Sequence, residues 1–116
     1  MTITLRGVPP SLNCYAGREN AWQYRADKKR WGDAVVWVAK GKTAQPYDYA
    51  AVRITYYFPD RRRHDPDNYA GKFLLDGLVR AGVIRDDSFR HIRLELSGDY
   101  DKANPRTIIE IVPVNS

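Results

Sequence analysis

Four short segments of the chain alternate apolar and polar residues, a pattern typical of β-strands with one buried face. The segments span residues 2–8, 51–58, 89–96 and 107–112. The second segment is the clearest, since every other residue from Val52 to Phe58 is aliphatic or aromatic. Pro9 and Pro10 end the first segment, because proline removes a hydrogen-bond donor and restricts φ. The pattern therefore predicts four strands.

Two longer segments have apolar residues at helical spacing. The first spans residues 19–39, and the second runs from after Asp67 to about Ala81, with Gly82 as its expected C-terminal cap. Their inner faces carry Tyr24, Trp31, Ala34, Val35 and Val38 in the first helix, and Leu74, Leu75 and Leu78 in the second. The order β-α-β-α-β-β predicts a single domain over residues 1–116, of the α/β or α+β class, with a mixed four-stranded sheet and two helices.

The composition excludes several classes of protein. With 116 residues, of which 43% are hydrophobic, the chain has apolar material for one packed core. No apolar run approaches the roughly 18 residues of a membrane span, and residues 1–4 lack the pattern of a signal peptide. The single cysteine, Cys14, excludes an intrachain disulfide and a cysteine-based zinc site. These features predict a cytoplasmic protein that does not associate with membranes.

The charged residues are unevenly distributed. Nineteen lysines and arginines against 14 acidic residues give a net charge of +5, which suits either a polyanionic partner or an ordinary basic domain. Six aspartates fall within residues 60–87, next to Arg61, Arg62 and Arg63. Because aspartate is a poor helix former, this cluster indicates turns, helix caps or ligands of a hard cation.

Residues 65–68 (Asp-Pro-Asp-Asn) stand where the exit loop of a strand meets the second helix. One interpretation is structural: Asp65 caps the helix, Pro66 occupies its first turn and Asp67 lies near the positive end of its dipole. A calcium-binding EF-hand loop is excluded, because the spacing places Ala70 where that loop needs glycine.

Asp86 and Asp87 form a second acidic pair, which could simply be a turn between helix and strand. A helix of about 14 residues is roughly 21 Å long, and the six residues after Ala81 reach roughly 20 Å. The chain can therefore return along the helix and bring Asp87 next to Asp65 and Asp67. Three such carboxylates repel one another unless a cation neutralises them, and Mg²⁺ or Mn²⁺ suits them better than zinc. A site of this kind beside a basic surface would suit phosphodiester hydrolysis.

A resemblance to the RusA-type Holliday junction resolvases is carried by residues 61–68 (Arg-Arg-Arg-His-Asp-Pro-Asp-Asn), 75–78 (Leu-Asp-Gly-Leu), 81–83 (Ala-Gly-Val) and 86–88 (Asp-Asp-Ser). Residues 3–5, the Pro9-Pro10-Ser11 turn and Asn13 resemble the opening strand and turn of that family. The resemblance is weakest over residues 15–50. It implies a homodimeric endonuclease that cuts four-way DNA junctions in recombination and repair, of bacterial, phage or prophage origin. The three metal-binding aspartates of the family correspond to Asp65, Asp67 and Asp87, with Mg²⁺ as the cofactor and Mn²⁺ as a substitute.

One position departs from the family pattern. The resemblance implies a functional lysine four residues after the second motif aspartate, but that position is Gly71, and Lys72 follows one residue later. Either the helix entrance contains a bulge or a delayed start, or the role of the lysine is altered. Lys72 is the candidate for this catalytic role, and the alternative is a surface ion pair with Asp76 one turn later.

Other basic and polar residues are candidates for contact with DNA. Those on the loop are Arg61, Arg62, Arg63 and Asn68, and the alternative for the arginines is a solvated loop. Lys28 and Lys29 on the first helix are candidates for a second contact with the DNA backbone, and a solvated helix face is the alternative.

The remaining candidates are expected to be structural. The three tryptophans, Trp22, Trp31 and Trp37, are predicted to pack in the core or at a dimer interface. We expect His64 to be an exposed loop residue and Cys14 to act as a small apolar residue.

These arguments predict a metal-dependent, structure-selective endodeoxyribonuclease that resolves four-way DNA junctions as a homodimer. One alternative is a nuclease for flaps, forks or other branched DNA. Another is a basic module that binds branched DNA without cutting it. Incubation with a labelled four-way junction, with and without Mg²⁺, separates the three hypotheses.

Overall fold

The computed structural model describes residues 1–16 and 20–114, and its main elements follow the predicted order. The strands are β1 (Thr2–Arg6), β2 (Ala50–Phe58), β3 (Ile92–Tyr100) and β4 (Arg106–Pro113), and the helices are α1 (Ala21–Ala39) and α2 (Lys72–Arg80). Two short 3-10 helices, Leu12–Tyr15 and Pro66–Asn68, lie in the connections. The predicted start of the first helix at residue 19 lies outside the described residues. The α+β architecture of a mixed sheet with two helices is confirmed.

The sheet has the strand order β1-β4-β2-β3. β2 and β3 are parallel, whereas β4 is antiparallel to both of its neighbours. A parallel pair needs a crossover connection, and α2 supplies it. Both strands of this pair therefore begin at the same end of the sheet, which we call the amino end, and finish at the other, which we call the carboxyl end.

Both helices pack against one face of the sheet. The predicted apolar face of β2 is buried from Val52 to Phe58, and Leu74, Leu75 and Leu78 of α2 are buried against the same core. The opposite face of the sheet carries polar and charged side chains such as Arg53 and Glu95. The alternation in the sequence thus corresponds to one buried and one open face, as expected for a sheet covered on one side.

Helix α2 is shorter than the sequence predicted. It is nine residues long and starts after Gly71, which adopts a left-handed conformation with φ of 84°. A residue with a side chain adopts this conformation only with strain, so the glycine delays the helix start. At the other end Gly82, with φ of 75°, donates its N–H to the carbonyl of Val79, and the predicted C-terminal cap is confirmed.

The third strand differs in register from its prediction. It spans Ile92–Tyr100 rather than residues 89–96, because its limits are set by pairing with the full length of β2. The N–H groups of His91 and Ile92 both donate to the carbonyl oxygen of Ser88, which closes a tight turn just before the strand. Phe89 lies in this turn and its side chain is 98% exposed.

Only one of the three tryptophans lies in the core. Trp31 is buried, but Trp22 and Trp37 are 65% and 89% exposed, so these two do not pack in the core, and their alternative place at a dimer interface remains a prediction. They lie on the side of α1 that faces away from the sheet. Cys14 is exposed rather than packed as an apolar residue. In the described part of the chain, no helix is both long enough and apolar enough to cross a membrane.

Candidate nucleic-acid interface and the positions of the carboxylates

The loop between β2 and α2 carries most of the predicted site residues. It leaves the carboxyl end of the sheet after Phe58 and forms the short 3-10 helix Pro66–Asn68. The backbone N–H of Asn68 donates to the carbonyl of Asp65 at 3.0 Å, so Asp65 precedes this short helix rather than capping α2. Asp67 is exposed in the first turn of the short helix. Asp65, Asp67 and Asn68 are therefore neighbours on one turn.

His64 holds this loop against the sheet, which contradicts the prediction that it is an exposed loop residue. Its side chain is only 19% exposed, and its ring stacks on Phe58 with centroids 3.8 Å apart and planes 4° apart. Its Nε2–H donates to Asp60 Oδ1 at 2.9 Å, which leaves Nδ1 to face the Tyr69 hydroxyl at 3.4 Å. His64 thus fixes the backbone directly before Asp65.

Asp60 is a second anchor of the loop. It accepts hydrogen bonds from the backbone N–H of Arg62 and from His64. The pKa of Asp60 is held below its usual value mainly by the bond from Arg62 and, to a smaller extent, by the bond from His64. The carboxylate is therefore ionised at neutral pH and is engaged within the loop, where it neutralises part of the charge of its neighbours.

The three arginines are in three different environments. The Arg61 guanidinium lies over the ring of Tyr100, 4.3 Å from its centroid, and Arg62 is exposed. Arg63 donates from Nε to Asp65 Oδ1 at 2.9 Å, and this bond raises the pKa of the guanidinium. In the described residues, Arg61 and Arg62 form no salt bridge, so both remain available to an anionic partner.

Asp87 does not lie with the other two predicted metal ligands. The loop that carries it is bonded to the amino end of the sheet, since the N–H of Ala50 donates to the carbonyl of His91 at 3.1 Å. Asp65 lies at the carboxyl end, where it lines a small cavity of about 50 Å³ with Phe58 and Gly98. The seven residues from Ala50 to Tyr56 alone span about 20 Å. The expectation that the chain returns along α2 to Asp65 and Asp67 is therefore wrong for a single chain.

The predicted metal site does not form as a three-carboxylate group within one chain. Among the described residues, no group of three or more histidine, cysteine, aspartate or glutamate side chains is placed to hold one metal ion. Asp65 is also neutralised by Arg63, which occupies one of its oxygens. Asp65 and Asp67 are neighbours on the motif loop, and Mg²⁺ is commonly held by one or two carboxylates, with waters and substrate phosphates as its other ligands.

Lys72 is the first residue of α2, and its side chain is exposed. It lines a narrow cleft with Asn68, Tyr56 and the turn formed by Pro9 and Pro10. The alternative pairing of Lys72 with Asp76 is not formed, because Asp76 Oδ2 lies 3.5 Å from the ammonium of another lysine, Lys28. The delayed helix start at Gly71 thus places Lys72 beside the motif asparagine.

Lys28 and Lys29 on α1 both have carboxylate partners. Lys28 lies near Asp76 of α2, and Lys29 donates to Asp33 at 2.7 Å. The same Asp33 accepts a hydrogen bond from Arg80 at 2.7 Å, so the two helices are joined by ion pairs along this side. Lys28 thus pairs across the two helices and Lys29 pairs within α1, and their predicted role in binding DNA remains a prediction.

A polar groove that the sequence did not predict lies beside the motif loop. It has a volume of about 460 Å³ and is lined by Ser11, Asn13, Arg63, His64, Asp65, Asn68 and Tyr69. The segment with Ser11 and Asn13 is held in place by Tyr15, whose hydroxyl donates to the buried Asp27 at 2.7 Å. Burial and this bond raise the pKa of Tyr15, so it stays protonated. The sequence does not indicate that Asn13 and Asn68 line one groove, since they are 55 residues apart.

No protein-family model matches the chain, and the curated proteins include no match either.

Proposed function

We propose that this chain is a structure-selective endodeoxyribonuclease that acts on four-way DNA junctions. The observation that carries the proposal is the loop at the carboxyl end of the sheet, where two unpaired arginines, Arg61 and Arg62, lie within a few residues of Asp65 and Asp67. Guanidinium groups bind phosphates, and adjacent carboxylates are the usual oxygen ligands of a hard cation. The net charge of +5 favours the approach of DNA to this surface.

The proposal includes Mg²⁺ as the cofactor, with Mn²⁺ as a substitute, and Asp65 and Asp67 as its ligands from this loop. Asp87 lies at the other end of the sheet, so the three-aspartate set that the resemblance implies is incomplete within one chain. The residues of the loop have a role that does not depend on it. Arg61 and Arg62 can position a phosphodiester, and Asp60 and His64 hold the loop in shape.

A module that binds branched DNA without cutting it is the second candidate. The distance between Asp87 and the pair Asp65 and Asp67 favours it, because a single chain then lacks the third carboxylate of the predicted site. A nuclease for flaps or forks would use the same loop and differs only in its preferred substrate.

The deciding experiment is incubation of the purified protein with labelled four-way junctions, forks, flaps and linear duplex, with Mg²⁺ or with a chelator. The proposal predicts paired symmetric cuts in the four-way junction only, and only with Mg²⁺. Binding of the junction without cleavage would select the second candidate, and preferred cleavage of forks or flaps would select the alternative nuclease.

The proposal also requires two copies of the chain. One chain supplies one motif loop, whereas resolution of a four-way junction needs two matched incisions. A two-fold homodimer is the commonest way to present two identical sites. We further propose that such an enzyme acts in the cytoplasm of a bacterium, on bacterial, phage or prophage DNA in recombination and repair.

Replacement of Arg61, Arg62 and Arg63 together by alanine should weaken junction binding and make it less sensitive to salt. Each phosphate contact on duplex arms contributes about 0.9 to the slope of log K against log salt. Because Arg63 is paired with Asp65, we expect the slope to fall by about 1.8, the share of the two unpaired arginines.

The matched control for this slope is the double replacement Arg53→Ala and Arg93→Ala. Both arginines face Glu95 on the open side of the sheet, at 2.9 and 3.9 Å. Titration of junction binding at several salt concentrations should show no change of slope in this variant. An unchanged slope in the triple variant would mean that the motif arginines do not contact phosphates.

Replacement of Lys72 by alanine should lower the single-turnover rate of cleavage about tenfold or more, because a cation near the scissile phosphate stabilises charge in the transition state. Junction affinity and the melting temperature should change little, since the side chain is exposed and has no carboxylate partner in the described residues. Lys102→Ala, an exposed lysine in the β3–β4 turn, is the control. A normal rate for Lys72→Ala would make it a surface lysine without a catalytic role.

A further inference from the structure

Phe89 is the most exposed large hydrophobic side chain of the described residues, at 98%. Full exposure of a phenylalanine forgoes the free energy that burial would provide. The sequence pattern assigned this residue to the third strand, but the structure places it in the turn that precedes β3. It is next to Arg90, whose side chain is also exposed. One turn thus carries both an exposed aromatic ring and an exposed guanidinium.

The backbone of this turn is fixed rather than free. The carbonyl of Ser88 accepts hydrogen bonds from the N–H groups of His91 and Ile92, at 2.9 and 3.0 Å. The His91 ring bonds through Nδ1 to the carbonyl of Asp48 at 2.9 Å, and Arg85 pairs with the Asp48 carboxylate. The loop is therefore attached to the amino end of the sheet on both sides of the Phe89–Arg90 turn, and the ring is held outward.

The charges around the Phe89–Arg90 turn favour contact with a base of the DNA over contact with a phosphate. Exposed carboxylates of Asp86 and Asp87 precede Phe89, and they disfavour the close approach of a phosphate group. Arg90 forms no salt bridge among the described residues, and it offsets one of these charges. An exposed aromatic ring can stack on the π-face of any base, a contact that involves no charge on the ring, and a guanidinium can add a cation–π contact with a base.

We propose that the Phe89–Arg90 turn is a second nucleic-acid contact, in which the Phe89 ring stacks on an unpaired or unstacked base at the branch point of the DNA. The inference rests on the proposed function, since it names the part of branched DNA that the chain recognises. Linear duplex offers no exposed π-face along its length, whereas a branch point does. The turn would therefore contribute to selection of branched over linear DNA.

The test measures binding of the full chain to a four-way junction labelled with 2-aminopurine at the branch point, in chelator so that no cleavage occurs. Phe89→Ala should weaken junction binding about tenfold and abolish the change in 2-aminopurine emission that the wild-type protein produces. Affinity for linear duplex and the salt dependence of junction binding should stay at wild-type values, because the lost contact is uncharged. Phe89→Trp should restore junction affinity.

The matched control is Val112→Ala, which shortens an apolar side chain that is 41% exposed on β4. Its junction affinity should equal that of the wild-type protein. If the wild-type protein itself binds junctions no better than linear duplex, the proposed function fails, and this inference fails with it. If it prefers junctions and Phe89→Ala binds them equally well, only the inference is overturned. Sedimentation that shows loss of self-association in Phe89→Ala, with unchanged emission, would overturn it in favour of a contact between two copies.

Discussion

Replacement of Asp67 by asparagine is expected to lower junction cleavage about a thousandfold or more while junction binding is kept. Asparagine has nearly the same size and can still hydrogen-bond, but it removes the negative charge that a divalent cation requires. Asp67 is exposed, so the change should leave the melting temperature unaltered. Binding should stay equal or become tighter, because a carboxylate no longer repels the phosphates. Single-turnover cleavage of a labelled junction and its affinity in chelator measure the two effects.

Asp86→Asn is the matched control, because Asp86 is an exposed aspartate next to a predicted ligand but is not one itself. Its cleavage rate should equal that of the wild-type protein. The series Asp65→Asn, Asp67→Asn and Asp87→Asn then shows which carboxylates act together. Loss of cleavage in the first two with normal cleavage in Asp87→Asn would restrict the site to the motif loop. Normal cleavage in all three would exclude the metal site altogether.

Gly77→Ala should lower the free energy of unfolding by about 2 kcal/mol. Gly77 lies in α2 where it crosses α1, and a Cβ atom there would lie 2.7 Å from Val35 Cβ and 3.0 Å from the carbonyl oxygen of Gly32. Neither atom can move without separation of the helices. Alanine favours a helix by about 1 kcal/mol over glycine, but the steric conflict outweighs this gain. Denaturant titration should show the loss, with a fall in melting temperature of about 10 °C.

Gly32→Ala in α1 is the natural control for this contact. A Cβ atom at Gly32 would meet the end of the Arg80 side chain at 2.6 Å, and that side chain can rotate away into solvent. The loss of the exposed pair between Arg80 and Asp33 costs about 0.5 kcal/mol, and the helix preference of alanine offsets it. Equal stability of the two alanine variants would show that the helices are not in close contact at Gly77.

The element order of this protein follows from its sequence, because each main element contains at least a partial local pattern of apolar residues. Alternation from Val52 to Phe58 and the leucines of α2 both mark a side that must be buried. The α+β class follows from the order of these elements. The carboxylates and arginines of the motif loop could also be identified from the sequence, since they are consecutive and their chemistry does not depend on packing.

The limits of the elements and the packing of the loop depended on strand pairing and backbone conformation, which the apolar pattern does not show. The third strand continues through Ser97 and Gly98, which have no apolar pattern, because β2 offers backbone partners over its whole length. Helix α2 begins only at Lys72 because Gly71 adopts a left-handed conformation. The sequence predicted an exposed loop residue at His64, but the loop turns back so that the His64 ring stacks on Phe58, six residues earlier.

The relation between the aspartates was decided by the tertiary structure alone. Chain length showed that Asp87 could reach Asp65, but it could not show the path. Parallel pairing of β2 and β3 requires the chain to return to the amino end of the sheet before β3 begins. The N–H groups of Tyr47 and Ala50 donate to the carbonyls of Val83 and His91, and these two hydrogen bonds fix residues 83–91 at that end. Sequence thus determined which carboxylates the chain carries, whereas the strand direction determined that Asp65 and Asp67 lie at one end and Asp87 at the other.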